Sequence, residues 1–272
     1  MPELPETETI ARDLHGAVVG AQITQVDVLR RDVLRETTAV KLARLLPGRV
    51  VTRAWRRAKS IVLSLDTDVH LVVTPRFTGA LIVGEPRCPD DYACLRMQFA
   101  DGRELRYTDV RRLGTVTALP AGALTAWSDA LGPEPLDPDF TPERLAECVR
   151  GSSRAVKAVL MDQKRLAGVG NIYANESLWR AGIRPSRRAA TLTRVECTAL
   201  HKELRDVLGA AIEARGTSFR DYRDAFGQRG GYAPQLQAYG RGGKPCARCG
   251  ATLQSSHDID GRATVWCRGC QS

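Results

Sequence analysis

Two Cys-x-x-Cys pairs lie at the end of the sequence, and their spacing is that of a metal site. Cys246 pairs with Cys249, Cys267 pairs with Cys270, and seventeen residues separate the two pairs. This spacing is typical of a tetrahedral four-thiolate zinc site. The alternatives are two Cys-x-x-Cys turns that occur by chance, or disulfides. A segment of some thirty residues is too short to bury a core, however, and needs another means of holding its structure. The pattern therefore predicts one structural zinc ion with no open coordination position.

The residues between the cysteine pairs predict a β-hairpin. Residues 254–258 and 263–266 have strand character, and Asp260-Gly261 is a turn signal between them. Arg262 would then lie at the tip, where a guanidinium suits a phosphate group. Zinc ribbons also bind proteins, so this element by itself favours nucleic acid only modestly.

The opposite end of the chain has a second chemical signature. Removal of Met1 would leave Pro2 with a free secondary amine, and the carboxylates of Glu3 and Glu6 follow closely. A secondary amine beside an acid is suited to attack on an aldehydic sugar carbon. Many proteins begin with Met-Pro without any catalytic role, so the pattern is weak when taken alone.

Composition limits the classes of protein that could present these groups. The chain has 272 residues, 43% of them hydrophobic, which is enough for a buried core and argues against disorder. Its 40 Lys and Arg against 31 Asp and Glu give a net charge of +9, as expected of a protein that meets a polyanion, although an ordinary basic enzyme would look the same. No run approaches the eighteen apolar residues of a membrane helix.

The N-terminus and the remaining cysteines favour a reducing compartment. The start MPELPETET is acidic and has no features of a secretory leader, so we expect a cytoplasmic protein. Four further cysteines are scattered along the chain, a pattern that favours ordinary thiols over a disulfide framework. These are Cys88, Cys94, Cys148 and Cys197.

The first half of the chain predicts a mostly antiparallel β-sandwich or barrel after one helix. The helix should cover about 5–14, with Pro5 at its first position and acidic residues at its positive end. Short β-branched runs separated by turn signals follow. The predicted strands are 23–29, 49–55, 60–66, 69–74, 95–99 and 116–119.

A proline-rich segment at 132–138 cannot continue a helix or a central strand, so it marks a domain boundary. Beyond it, helical periodicity predicts a small bundle, and glycines from 227 to 243 then predict a mobile loop and a tether. The predicted helices are 142–150, 155–161, 172–181 and 194–215. The expected divisions are a β-rich domain at 1–132, a helical domain at 133–225, a loop and tether at 226–240 and a zinc finger at 241–272.

Seven motifs occur in a fixed order along nearly the whole chain. They are PELPE at 2–6, RRAK at 56–59, DVRRLG at 109–114, GVGNIYANE at 168–176, YGR at 239–241, GRATVWC at 261–267 and the terminal cysteine pairs. This set resembles the formamidopyrimidine-DNA glycosylase and endonuclease VIII family, and the PELPE start resembles the formamidopyrimidine branch. The resemblance implies an α+β multidomain fold: an N-terminal β-sandwich with a leading helix, a helical helix-two-turn-helix domain and a C-terminal four-cysteine zinc finger, with DNA between the domains.

The resemblance also implies roles for individual residues. Pro2 would be the Schiff-base nucleophile, and Glu3 would assist ring opening and elimination as acid and base. Lys59 and Arg262 would complete the catalytic set by holding phosphates close to the reacting sugar, and Glu6 would order waters in the pocket.

Asn171 and Tyr239 would bind the DNA backbone together with Arg262. Each of these residues has a simpler interpretation. Lys59 and Arg262 could be solvated surface charges, and Asn171 could cap a helix that starts at the next residue.

Two stretches depart from the family pattern. The sequence TPRFTG at 74–79 places Phe77 where a methionine normally fills the void in the duplex, and the sequence DVRRLG places Leu113 where an aromatic ring is usual. Arg111 remains available to face the orphaned partner base. An apolar side chain of sufficient size can still perform part of the unstacking, so these departures concern the substrate more than the chemistry.

The resulting hypothesis is a bifunctional glycosylase and lyase acting as a monomer on double-stranded DNA with damaged bases or abasic sites. The resemblance implies a cytoplasmic bacterial protein that associates with the nucleoid through DNA, with its catalytic domain at 1–132, its helix-two-turn-helix DNA-binding domain at 133–225 and its lesion loop and tether at 226–240. The enzyme would remove 8-oxoguanine and formamidopyrimidine, with the loop at 217–222 covering the extruded purine, and then cleave the strand by β- and δ-elimination. The alternatives are a relative retuned to another lesion such as a bulky alkylated purine, a non-catalytic damaged-DNA binder, and a zinc-ribbon adaptor for protein partners.

Overall fold

The computed structural model describes residues 2–86 and 91–272, and Cys88 lies outside the described residues. The chain forms two compact units. The first contains the chain up to Asp129 together with Ala214–Gly231, and the second contains Ala130–Glu213 together with Tyr232–Ser272. The division into four functional segments remains a prediction. Among the described residues, every helix is too short or too polar to span a bilayer.

The first unit is a β-sandwich with a leading helix, as the sequence predicted. Helix α1 covers Leu4–Val18, and two antiparallel four-stranded sheets follow, in the orders β2-β3-β4-β8 and β1-β6-β7-β5. The strands are β1 Ile23–Val28, β2 Val51–Arg57, β3 Ser60–Leu65, β4 Val69–Thr74, β5 Gly79–Gly84, β6 Ala93–Phe99, β7 Glu104–Asp109 and β8 Thr115–Pro120. The short helices α2 (Ala39–Leu45) and α3 (Ala121–Asp129) complete the unit.

Helix α1 packs on the sandwich core through one apolar stripe. Ile10, Leu14 and Val18 recur at intervals of four residues and are all fully buried. Pro5 lies in its first turn, where a missing N–H costs nothing, and the helix runs one turn beyond the predicted end. The burial of this stripe fixes the position of the residues that precede the helix.

Two strands, β5 and β7, escaped the sequence analysis, as did α2 and α3. Strand β7 alternates Leu105 and Tyr107, which point into the core, with Glu104 and Arg106, which are also buried. Side chains of this strand alternate between its two faces as in any β-strand, but the charged residues interrupted the apolar pattern by which a strand is recognised in the sequence. Both missed strands are central to the candidate site, because the loops that precede β5 and follow β7 carry the predicted wedge residues.

The second unit is a helical bundle joined to a small β-hairpin. Each predicted helix is present, with ends within two residues of the expected ones at most sites. The helices are α4 Pro142–Val149, α5 Val156–Leu160, α6 Asn171–Arg180 and α7 Arg194–Glu213, and the hairpin strands are β9 Gln254–Ser256 and β10 Thr264–Trp266. Helix α6 is buried along most of its length because it lies between α7, α5 and β10.

Candidate active site and nucleic-acid interface

The N-terminal corner of the first unit is buried and held by one carboxylate. Pro2 and Glu3 are both buried. Glu6 accepts the backbone N–H of Glu3 on Oε2 at 2.8 Å and the backbone N–H of Thr217 on Oε1 at 2.7 Å. Glu6 therefore links the proposed catalytic residues to the loop at 217–222, a structural link that the sequence analysis did not find. Its predicted role in ordering waters remains a prediction.

The loop at 217–222 is attached to this corner by close packing. Gly216 has φ +86°, and a Cβ there would lie 2.9 Å from the Tyr222 ring and 3.0 Å from Glu6 Cγ, so glycine is required at this position. The Tyr222 hydroxyl donates to the carbonyl of Arg215 at 3.1 Å. Burial, with the nearby charge of Glu6, raises the pKa of Tyr222, which stays a neutral donor.

An ion-pair cluster anchors both ends of the same loop to α1. Arg215 lies 2.6 Å from Asp13 of α1 and 2.6 Å from Asp224, which is fully buried. Burial raises the pKa of Asp13, and the Arg215 contact opposes that shift. Phe219 on the loop is exposed, and so is Phe226, which lies just beyond Asp224. The loop therefore has a fixed base and an exposed apolar rim.

Lys59 belongs to the same corner because its turn is fixed to α1. It follows Ala58 in the two-residue turn between β2 and β3, where Ala58 has φ +51°. The Ala58 carbonyl accepts from the Thr7 hydroxyl at 3.4 Å and from Arg56 at 3.0 Å. Burial disfavours the charge of Glu8, but Arg56 lies 2.9 Å from the Glu8 carboxylate and holds its pKa below the usual value.

The predicted wedge residues lie on two exposed loops, the first wedge loop at 75–78 and the second wedge loop at 110–114. Phe77 is 40% exposed and Leu113 is 39% exposed. The guanidinium carbon of Arg111 lies 5.0 Å from the centre of the Phe77 ring, which is a cation–π contact between the two loops. The folding of the chain thus joins a ring and a cation that the sequence analysis assigned to separate wedges.

Asp109 holds both wedge loops and was missed by the sequence analysis. Its buried carboxylate accepts from the hydroxyl groups of Thr78 and Tyr107 and from the backbone N–H groups of Arg111 and Gly114. One local signal was available in the sequence. An aspartate that precedes a loop often accepts the backbone N–H two residues ahead and forms an Asx turn, as Asp109 does with Arg111. The strands β5 and β7 that bring Thr78 to it were not predicted.

Asn171 is the first residue of α6, and it does not cap the helix. Gly170 is the capping residue, and it makes no side-chain cap hydrogen bond. The alternative interpretation of Asn171 as the cap of a helix starting at Ile172 is therefore wrong. Asn171 is half-buried, and its Oδ1 accepts from Asn175 Nδ2 at 3.3 Å. It lies at the positive end of the helix, where an anion is favoured.

Tyr239 is held in place by a carboxylate that the sequence analysis did not single out. Glu176 of α6 is fully buried and accepts the backbone N–H groups of Gln237, Ala238 and Tyr239 at 2.8 to 2.9 Å. Burial raises the pKa of Glu176, and the three N–H donors oppose that shift. The segment that carries Tyr239 is therefore fixed to α6.

Arg262 is exposed and follows two residues in the left-handed region, Asp260 with φ +51° and Gly261 with φ +63°. The strands on either side, β9 and β10, are shorter than predicted but have the expected antiparallel pairing. Lys157 of α5 is fully buried and donates to the carbonyl of Ala263 at 2.9 Å. The backbone immediately after Arg262 is thus anchored to the bundle.

The four C-terminal cysteines converge on one point. Their sulfur atoms all lie within 4.8 Å of one another, and the sulfurs of Cys249 and Cys267 are 3.4 Å apart. Four thiolates at 2.3 Å from a central zinc ion would be about 3.8 Å apart, so the spacing fits such an ion. All four are free thiols, which removes the disulfide alternative for these residues. The cluster could therefore hold a metal ion.

The predicted site residues divide between the two units. The first unit brings Pro2, Glu3, Glu6 and Lys59 to one corner and places Phe77, Arg111 and Leu113 on the wedge loops. The second unit carries Asn171, Tyr239, Arg262, Cys246, Cys249, Cys267 and Cys270. Within the second unit, Asn171 and Tyr239 are both attached to α6.

Comparison with known proteins agrees with this arrangement over the whole chain. Residues 1–116 match the formamidopyrimidine-DNA glycosylase N-terminal domain, and residues 131–223 match the formamidopyrimidine-DNA glycosylase H2TH domain. The formamidopyrimidine-DNA glycosylase of Chloroflexus aggregans is 41% identical, covering 100% of this chain and 98% of its own length. That of a Roseiflexus species is 42% identical, with 100% of both chains covered.

Solved structures show the same similarity. The wild-type Fpg of Lactococcus lactis, in complex with DNA containing N7-benzyl-Fapy-dG, has a TM-score of 0.92 and 32% identity, with 100% of both chains covered. The same protein with DNA containing an abasic site has a TM-score of 0.92 and 32% identity, with 99% of both chains covered. This chain belongs to the formamidopyrimidine-DNA glycosylase family, which confirms the family resemblance and the fold class inferred from the sequence.

Proposed function

We propose that this protein is a base-excision repair glycosylase with lyase activity that removes oxidised or ring-opened purines, 8-oxoguanine and formamidopyrimidine, from duplex DNA. The observation that carries the proposal is the bridge formed by Glu6. Its carboxylate joins the backbone of Glu3 to that of Thr217, so the catalytic corner and the loop for the extruded base form one structure. The names of the relatives in two bacterial genera agree with this activity.

The chemistry follows from the groups at this corner. With Met1 removed, the lone pair of the Pro2 nitrogen attacks the sugar C1′ and the bond from C1′ to the base breaks. The base leaves with the electrons of the broken bond and takes up the proton that the Pro2 nitrogen loses. Glu3 then gives a proton to the sugar oxygen as the ring opens and the Schiff base forms, and a base removes the C2′ proton. The electrons of that C–H bond drive β-elimination, in which the 3′ phosphate leaves with the electrons of its bond to the sugar. Removal of the C4′ proton drives δ-elimination of the 5′ phosphate in the same way.

The remaining residues hold the DNA for this reaction. Lys59, Asn171, Tyr239 and Arg262 are proposed to contact phosphates around the lesion, which positions the duplex without reading its sequence. Phe77 and Leu113 occupy the space left by the extruded nucleotide, and Arg111 faces the orphaned base. The protein is proposed to act as a monomer on chromosomal DNA in the bacterial cytoplasm.

The four cysteines are proposed to hold one zinc ion, with all four coordination positions taken by thiolates. A bound zinc ion would supply structural rigidity to the hairpin that carries Arg262, and no chemistry of the sugar or base passes through it. Metal analysis of the purified protein should give one zinc per chain. Removal of the metal by a chelator should unfold the hairpin and weaken DNA binding, because binding of the metal is part of the folding of such modules.

Borohydride trapping tests the activity. The protein with its native N-terminus is incubated with duplexes containing 8-oxoguanine opposite cytosine, an abasic site or no damage, and a Pro2→Gly/Glu3→Gln double variant is the control. We expect the unmodified protein to form covalent adducts with both damaged duplexes. The double variant should form adducts with neither. Adducts on the abasic duplex alone would retain the lyase and exclude 8-oxoguanine as the substrate. A complete lack of adducts would favour a non-catalytic damaged-DNA binder.

The pH dependence of trapping provides an independent check on the nucleophile. Only the neutral amine attacks, and a free α-amine has a pKa of about 8. The trapping rate on the abasic duplex should therefore fall progressively as the pH is lowered below neutrality. An unchanged rate under acid conditions would exclude the Pro2 amine as the attacking group.

A bulky alkylated purine is the second candidate substrate. One similar solved structure contains DNA with N7-benzyl-Fapy-dG, which is a ring-opened purine with a large substituent. Excision of this base should be compared with excision of unsubstituted Fapy-dG under single-turnover conditions. A faster rate with the benzyl substituent would favour bulky alkylated purines as the preferred substrate. A slower rate would favour oxidised and unsubstituted ring-opened purines.

A further inference from the structure

Helix α6 lies next to the hairpin that carries Arg262, and one buried side chain joins them. Asn175 is one helical turn beyond Asn171 and is 0% exposed. Its Nδ2 group donates to the Asn171 carbonyl at 2.6 Å and lies 3.3 Å from the Ala263 carbonyl, and its Oδ1 accepts the backbone N–H of Val265 at 2.8 Å. A single amide group therefore contacts both the start of α6 and strand β10.

The partners of Asn175 determine how its amide is oriented. A backbone N–H can only donate, so the Val265 N–H requires the oxygen of the amide. The carbonyls of Asn171 and Ala263 can only accept, so they require the nitrogen. An aspartate has no N–H to offer these carbonyls, and an alanine offers neither group. Asparagine is thus the small side chain that satisfies both sides.

These contacts complete the free edge of a short strand. Strand β10 pairs with β9, with Val265 opposite Ser255, and the Val265 N–H is turned toward α6. With Asn175 truncated, this N–H and the Ala263 carbonyl would each lose a buried partner. Lys157 adds a second attachment from α5, because its amine donates to the Ala263 carbonyl and to the Thr264 hydroxyl at 2.7 Å.

We propose that Asn175 is a positioning residue that fixes Arg262 relative to Asn171, so that both side chains meet the phosphates of one DNA backbone together. Residues 263–265 directly follow Arg262, and the amide of Asn175 ties them to the helix whose first residue is Asn171. This inference rests on the proposed function in one respect, which is that Asn171 and Arg262 are phosphate contacts.

The test is a double-mutant cycle read by DNA binding alone. Asn175→Ala, Asn171→Ala and Arg262→Ala are made singly, and Asn175→Ala is combined with each of the other two in the full zinc-loaded chain. Binding to a duplex with a tetrahydrofuran abasic analogue is measured over a range of salt concentrations. Ser177→Ala is the matched control, because Ser177 is also fully buried in α6 and its hydroxyl bonds only to Tyr173 of the same helix among the hydrogen bonds that the structure gives.

We expect Asn175→Ala to weaken binding by about 10-fold at moderate salt. The decrease of log affinity with log salt should become less steep by about 1, as if one phosphate contact were lost. Arg262→Ala should cost about 10-fold alone and less than about 3-fold when Asn175 is already alanine, since residues that act through each other are not additive. Asn175→Asp should weaken binding at least as much as Asn175→Ala. Ser177→Ala should leave the salt slope unchanged.

Additive effects of Asn175→Ala and Arg262→Ala, or an unchanged salt slope, would overturn the proposal, because Asn175 would then act on stability alone. Zinc content and the thermal midpoint of each variant separate loss of fold from loss of position. The proposed function fails separately, through a lack of borohydride adducts with the unmodified protein. If the single variants Asn171→Ala and Arg262→Ala both bind as the unmodified protein does, the positioning role is also overturned.

Discussion

The N-terminal corner and the wedge loops belong to the same unit, but they are built in different ways. At the corner, the proposed catalytic residues Pro2 and Glu3 are themselves buried, and the buried Glu6 carboxylate holds the backbone of Glu3. On the wedge loops the functional side chains are exposed, and it is the backbone beneath them that Asp109 holds. The chemistry proposed for the corner requires groups in fixed positions, whereas the contacts proposed between the wedge loops and DNA can change as long as each loop keeps its shape.

This difference explains where the sequence departs from its family. The PELPE start is intact, while Phe77 and Leu113 replace the usual methionine and aromatic ring. An exposed side chain can be replaced with little effect on folding, because its surroundings are solvent. Of these two residues, Phe77 contacts the retained Arg111 across the two loops.

The largest effect should come from the corner. Glu3→Gln removes the proton donor for ring opening and should lower the single-turnover rate of Schiff-base formation on an 8-oxoguanine duplex, read by borohydride trapping, by about 10²- to 10⁴-fold. The affinity for a tetrahydrofuran duplex should stay within about 3-fold, because the backbone N–H of Glu3 that bonds Glu6 is unchanged. A variant that loses affinity and rate in parallel would place Glu3 in DNA binding and break the comparison.

The next effect concerns the buried support of the wedge loops. Asp109→Ala removes the shared acceptor of Thr78, Tyr107, Arg111 and Gly114, so the free energy of unfolding should fall by about 2–4 kcal/mol. The Arg111 N–H keeps the Thr78 hydroxyl as its acceptor, whereas the Gly114 N–H loses the acceptor that the structure gives it. Tyr107→Phe removes one of these bonds and should cost about 0.5–1.5 kcal/mol. Urea denaturation measures both. Equal losses for the two variants would show that Asp109 is not the common support.

A smaller effect is expected for the exposed ring itself. Phe77→Ala should slow excision from duplex DNA by about 10-fold, as for the loss of one base–aromatic stack. Cleavage at an abasic site in single-stranded DNA should be unaffected, since no void has to be filled there. Leu113→Ala is the matched control on the second wedge loop and should cost about 3-fold. If Phe77→Ala slowed the reactions of both substrates equally, Phe77 would act in the chemical step and would not act by filling the void in the duplex.

The smallest effect tests the contact between the two loops. Phe77→Met restores the usual family residue and removes the ring beneath Arg111, a contact worth about 0.5–1 kcal/mol at an exposed site. The ratio of excision rates opposite cytosine and opposite adenine should therefore change by about 2- to 5-fold. Leu113→Phe leaves the contact with Arg111 in place and should not change this ratio. A ratio that responds only to Leu113→Phe would show that discrimination of the opposite base depends on Leu113 and not on the contact between Arg111 and Phe77.

Much of the fold could be predicted from local patterns. Strand β4 covers the predicted residues Val69–Thr74, and α4 ends one residue short of its predicted end. Strand β7 was missed because its buried Glu104 and Arg106 interrupt the apolar pattern, and their burial is a property of the folded sheet. The named site residues could be placed on their elements, but the groups that hold them could not.

The sequence by itself determined the features that depend on neighbours along the chain. The two cysteine pairs with their intervening hairpin, the proline at the start of α1 and the Asp260-Gly261 turn are all read within a few residues. Each follows from local backbone geometry or ligand spacing, and tertiary contacts do not alter it.

Only the tertiary structure decided which distant groups share a hydrogen bond. Glu6 meets Thr217, Asp109 meets Thr78, and Asn175 meets Val265, although each pair is far apart in the sequence. A buried polar group takes whichever complementary partner the packed elements bring within about 3 Å, and that choice is made by the folding of sheets and helices together. Each of these three side chains therefore helps to fix one part of the candidate site within its own unit.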